Sequence, residues 1–137
     1  MRGLAALAIV ASVAGCARTV TPVACPAGMG APTIIFTLYF GQSIPGSHDV
    51  TEAQWRHFLD TTVTPNLPNG YTVWDAHGAW MNPMTRKTIQ EATKVLAVAL
   101  PVSQASLASV NRVREAYQVQ FHQQLVGMTT EQACGTF

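Results

Sequence analysis

The sequence predicts an α+β fold of the ferredoxin-like kind: a split βαβ (βαββαβ) with a four-stranded antiparallel sheet and two helices on one face. Three observations carry this. Thr33–Phe40 (TIIFTLYF) is β-branched and aromatic and alternates two sets of side chains. Segments after Thr51 and Ser103 repeat apolar residues at helical spacing. The order along the chain reads strand, helix, strand, strand, helix, strand, for which the usual strand order is 4-1-3-2.

Met1–Gly15 reads as a signal peptide. Arg2 supplies the positive start, and Leu4–Val13 is nearly all apolar but shorter than the roughly 20 residues a bilayer span needs. Val13-Ala14-Gly15-Cys16 resembles the lipobox of bacterial lipoproteins, so Cys16 is the expected lipidation site. Acyl chains such as palmitate would then hold the protein in the cell envelope, anchored to a bacterial membrane and facing the periplasm or exterior. Residues 16–32, rich in Pro, Gly and Ala, read as the lipidated cysteine and a flexible tether, and 33–137 as one α+β domain.

With Cys16 lipidated, Cys25 and Cys134 remain. An oxidising compartment predicts a Cys25–Cys134 disulfide. The fold supports it independently, since the end of strand four runs beside the start of strand one.

Strand one is Thr33–Phe40, with Ile34, Phe36, Leu38 and Phe40 on one face and Ile35, Thr37 and Tyr39 on the other. The loop Gly41–Val50 follows. Thr51 with Gln54 makes a capping box, and Trp55, Phe58, Leu59 and Val63 give the first helix an apolar side. Pro65 is expected to end that helix by restricting Thr64. Asn69-Gly70 is a turn, Tyr71–Ala76 a second strand, His77-Gly78 another turn and Ala79–Met81 a short returning strand. Thr85–Leu100 contains a third strand, surest over Lys94–Leu100, and Pro101 stops it. Ser103 caps a helix over Gln104–Gln123 whose stripe is Leu107, Val110, Val113 or Arg114, Tyr117 and Phe121. Leu125–Thr130 is the last strand.

Many residues together, in order, resemble a known family: Leu38-Tyr39-Phe40-Gly41, Ile44-Pro45-Gly46, Trp55 and Phe58, Thr64-Pro65, Gly70, Thr72, Asp75, Gly78 and Trp80, Glu91, Lys94-Val95, Tyr117, and Cys134 near Phe137. This is similar to the domain of unknown function 3574, over roughly Ile34–Phe137. The resemblance implies a small bacterial lipoprotein or secreted protein and implies no reaction.

Composition excludes several classes. Acidic and basic residues balance once Arg2 is removed, and no basic patch is visible. That argues against nucleic acid and against electrostatic attachment to anionic headgroups. No cofactor is expected, because neither a phosphate loop nor a Gly-x-Gly-x-x-Gly fingerprint is present. No metal is expected, because His48, His57, His77 and His122 are scattered.

One polar constellation stands out. Tyr39, Asp75, Glu91 and Thr93 are expected to converge at one sheet edge beneath the Gly41–Val50 loop, with Trp80 as a stacking wall and Lys94 as a charge partner. The reading is therefore a candidate pocket of Tyr39, Asp75, Trp80, Glu91 and Lys94 in a non-enzymatic, ligand- or partner-binding envelope domain. A homodimer through the open sheet face is a secondary expectation. The alternative is a small enzyme of the dimeric α/β-barrel kind using Tyr39, Asp75 and Glu91 as acid–base groups.

Overall fold

A computed structural model describes residues 24–44 and 46–136. The signal peptide, Cys16 and the first part of the tether lie outside the described residues. Strands β1 (Ala31–Gly41), β2 (Thr72–Met81), β3 (Thr88–Pro101) and β4 (Gly127–Gly135) form one sheet in the order β2-β3-β1-β4, every neighbour antiparallel. This is the expected ferredoxin-like arrangement. The first helix, α1 (Glu52–Phe58, continuing to Asn66), and the second, α2 (Gln104–Gln120), cover one face.

β1 alternates as its sequence demands. Phe36, Leu38 and Phe40 are buried under the helices, and Tyr39 is exposed on the other side. Phe40 meets Trp55, Phe58 and Tyr117, and Phe121 closes the cluster. Ring centroids lie 4.6 to 6.2 Å apart, mostly edge to face. Each such ring contributes roughly 2 to 3 kcal/mol by leaving water.

Thr51 and Gln54 form the expected capping box at the start of α1. Pro65 does not end the helix. A π-turn over Leu59–Val63 precedes it, Thr64 N–H bonds back to the Leu59 carbonyl, and helical geometry resumes over Thr64–Asn66. A proline needs a turn that can lose one N–H and make room for its ring. The wider π-turn supplies both, and it keeps Val63 and Leu67 in the core.

The second departure is larger. His77-Gly78 is not a turn: β2 runs unbroken from Thr72 to Met81, with His77 opposite Ala92 and Gly78 opposite Glu91. A Cβ on Gly78 would lie 2.8 Å from Thr93 Oγ1, so the glycine serves close cross-strand packing. The reversal falls at Asn82–Lys87 instead, and β3 begins at Thr88 rather than Thr85.

α2 stops at Gln120, three residues short of the expected Gln123, because His122 takes a left-handed backbone (φ 52°). Arg114 then bonds the Val126 carbonyl through Nε and Nη2, setting the entry to β4. β4 spans Gly127–Gly135, two residues later at its start and five later at its end than expected.

Cys25 and Cys134 are joined, their Cα atoms 5.7 Å apart. Pro32 pairs with Cys134 and Ala31 with Gly135, so these two residues assigned to the tether belong to β1.

Candidate functional site

The register of the sheet sorts the predicted residues onto two faces. On the side away from the helices, Gly127, Tyr39, Val95 and Trp74 form one row across β4, β1, β3 and β2. The next row toward the β1 start is Thr129, Thr37, Ala97 and Thr72, and the next toward its end is Gly41, Thr93 and Ala76. Small side chains thus surround two aromatic rings. Tyr39 is 39% and Trp74 45% exposed, while Val95 between them is buried. The Tyr39 ring lies over Gly127 and its hydroxyl reaches Thr129 Oγ1 at 3.5 Å. Toward the β1 start, the face dips into a shallow groove of about 610 Å³ lined by Ile35, Tyr71, Thr72, Ala97 and Ala99 among others.

Glu91 lies on this same face, opposite Gly78. Its carboxylate accepts from Trp80 Nε1 at 3.0 Å and from Ser43 N–H at 3.3 Å. Gly41 makes that possible, because a Cβ there would sit 2.7 Å from a Glu91 oxygen. Thr37, Tyr39, Glu91 and Thr93 therefore share a face, as their positions in the strands predict, and Trp80 of β2 joins them.

Asp75 and Lys94 do not join them. They are register partners on the helix side of β2 and β3. Lys94 Nζ lies 2.6 Å from Asp75 and 2.7 Å from Glu52 at the start of α1, with its side chain only 13% exposed. Burial pulls the Lys94 pKa down, but hydrogen bonds to Asp75 and Glu52 and their negative charges more than reverse this, so the net shift is upward. The five-residue pocket is thus divided by the sheet into an aromatic–carboxylate surface and a strand-to-helix ion triad. His77 stands opposite Ala92 on the triad's side of the sheet. Among the described residues no three His, Cys, Asp or Glu side chains gather as metal ligands.

Sequence reasoning missed Gln42. This side chain is buried, and its Nε2 donates to the Phe40 carbonyl and to the Tyr117 hydroxyl, each at 2.9 Å. The Tyr117 hydroxyl in turn donates to the Gly41 carbonyl, Val50 N–H to the Gln42 carbonyl, and Gln123 Nε2 to the Ser43 carbonyl. Among the described residues no fully buried side-chain nitrogen or oxygen is left without a partner. Burial raises the Tyr117 pKa far above the ordinary phenol range; the Gln42 hydrogen bond opposes this, and the Glu91 charge adds to it. The knot holds both ends of the Gly41–Val50 loop, and with them the Ser43 N–H that Glu91 uses. A polar residue directly after a strand that should enter solvent was the one available signal.

A sheet with one face bare and aromatic, and two helices on the other, defines a small ferredoxin-like α+β domain. The family model described as "Protein of unknown function (DUF3574)" matches residues 36–137, and the chain belongs to that family. No curated protein matches it in sequence. Solved structures that share its fold include the following two. A phage SAM lyase in complex with S-methyl-5'-thioadenosine is 9% identical, with a TM-score of 0.61 over 72% of this chain and 80% of the lyase chain. The phage SAM lyase in its apo state is 11% identical, with a TM-score of 0.55 over 80% of this chain and 86% of the other. At these identities the likeness is one of fold.

Proposed function

We propose that this protein is an exported, lipid-anchored envelope domain that works by binding rather than by catalysis, and that it binds through the bare face of its sheet. The observation that carries this reading is the row of Tyr39, Val95 and Trp74 set among threonine, alanine and glycine across β1, β3 and β2. Such a surface is flat, nearly uncharged and able to bury rings against a partner at low entropic cost. The lipobox ending at Cys16 and the Cys25–Cys134 bridge both support an oxidising compartment outside the cytoplasm. The acid–base alternative loses support because Asp75 and Glu91 face opposite sides of the sheet.

The test is photo-crosslinking in cells from position 74, with position 57 on the outer side of α1 as control. Adducts are expected from 74, absent from 57, and lost when Ala97→Arg places a charge in the middle of the face. Sedimentation of the adduct separates a second copy of this chain from a foreign partner. Adducts that survive Ala97→Arg, or that form equally from 57, overturn the reading. Labelled palmitate that enters the wild type but not Cys16→Ser tests the anchor separately.

A further inference from the structure

The turn between β2 and β3 has a chemistry unlike the rest of the surface. Met84 is 89% and Met81 58% exposed, and Trp80 at the base is 38% exposed. Arg86 and Lys87 stand beside them, exposed, and form no salt bridge among the described residues. From Ala76 to Gln90 the sequence contains no acidic residue. The nearest carboxylate, Glu91, is held back along the sheet by Trp80 Nε1 and Ser43 N–H.

The backbone of this tip is also closed. Asn82 N–H bonds the Lys87 carbonyl, and Arg86 N–H bonds the Asn82 carbonyl. Met84 N–H and Thr85 N–H both bond Asn82 Oδ1, at 2.9 and 3.1 Å, and Pro83 has no N–H. Every backbone N–H from Asn82 to Arg86 is therefore satisfied inside the turn. A loop that enters a bilayer interface loses water from its backbone, and the cost falls on unpaired donors. This tip lowers that cost for its N–H groups while presenting methionine and tryptophan beside two cations.

We propose that the β2–β3 hairpin tip docks on an anionic lipid surface, with Met81 and Met84 entering the headgroup boundary and Arg86 and Lys87 pairing with lipid phosphates. The overall neutrality of the chain hides this local charge. The tip lies at the opposite end of β3 from Pro101, which pairs with Thr33 near the N-terminal segment. Contact through it is thus separate from attachment through Cys16.

The experiment immobilises the full chain on beads through a C-terminal tag and offers fluorescent vesicles of phosphatidylcholine alone or with about a third phosphatidylglycerol. Any acyl-chain insertion at Cys16 contributes equally to wild type and variants. The wild type is expected to retain about 25-fold more anionic vesicles than neutral ones, with the excess lost in high salt. The double change Arg86→Glu, Lys87→Glu lowers anionic capture by about 25-fold or more, because each basic side chain near such a surface is worth roughly fivefold and each reversal adds a repelled charge. Met84→Ser, at a fully exposed position, lowers capture while leaving the salt dependence in place. Equal capture of both vesicle types, or capture unchanged in the double variant and in Met84→Ser, overturns the proposal. Loss of salt dependence in Met84→Ser also counts against it, by showing that the charges act through a misplaced tip.

Discussion

The two faces of the sheet are built from the same strands and could hardly differ more. Under the helices, Phe36, Leu38 and Phe40 of β1 meet Leu96 and Val98 of β3 and the rings of Trp55, Phe58 and Tyr117, all almost without solvent contact. On the other side the same strands carry Thr37, Tyr39, Ala97 and Thr93, and the largest groups stand half in water. The first face is filled for stability, with large rings at crystal-like density. The second combines small side chains with amphipathic rings, which adds little to the isolated fold and leaves a surface another molecule can meet. A strand's period of two lets one segment serve both demands, since alternate residues never share a neighbour set.

Truncation on each face breaks or sharpens that contrast. Phe58→Ala should cost about 3 to 5 kcal/mol in urea unfolding, by loss of burial and by the cavity left among Phe40, Trp55, Tyr117 and Phe121. Trp74→Ala, a larger deletion on the bare face, should cost about 1 kcal/mol or less. A cost for Trp74→Ala equal to that of Phe58→Ala shows the face to be covered in the protein as isolated. Next comes the end of the sheet where the bridge ties the N-terminal segment to β4. Cys134→Ser should cost about 2 to 4 kcal/mol, the typical worth of a disulfide. That loss should appear in unfolding midpoints and leave vesicle capture by the distant hairpin unchanged.

An effect as small as that of Trp74→Ala is expected at the ion triad on the helix side. Lys94→Met should cost about 1 kcal/mol near neutral pH, since its carboxylate partners are exposed and screened. Its folded-state pKa is raised above 10.5, so its contribution is complete below that value and disappears as pH climbs through the higher folded-state value. Wild type and Lys94→Met should therefore converge in melting temperature at strongly alkaline pH. A gap that persists there assigns the loss to packing of the lysine stem instead of its charge.

Much of this was legible in the chain. The alternation of Ile34–Phe40 named the buried set of β1, and the capping box at Thr51 located the start of α1. Tyr39, Glu91 and Thr93 were correctly placed on one face. Asp75 was not, for an identifiable reason. Reading His77-Gly78 as a turn cut β2 short, and without the true reversal at Asn82–Lys87 the pairing of β2 with β3 had no anchor. In a sheet a shift of one residue sends every side chain to the opposite face. The same error hid the hairpin tip, whose methionines and cations sat in what read as loop and early strand. Pro65 misled because a proline was weighed as a stop signal, and a π-turn that tolerates it has no local signature.

By itself, the sequence determined the order of elements, the buried side of each strong strand and helix, and the pairing of Cys25 with Cys134. The first two follow from local periodicity and capping, and the third from setting Cys16 aside as the expected lipidation site in an oxidising compartment. Only the tertiary structure decided that Lys94 joins Asp75 and Glu52, that Glu91 turns to Trp80, and that Gln42 and Tyr117 hold the loop above them. Those contacts join residues 11 to 75 positions apart. They depend on which strand residues stand opposite one another, a choice made by the cooperative packing of the whole sheet rather than by any one segment.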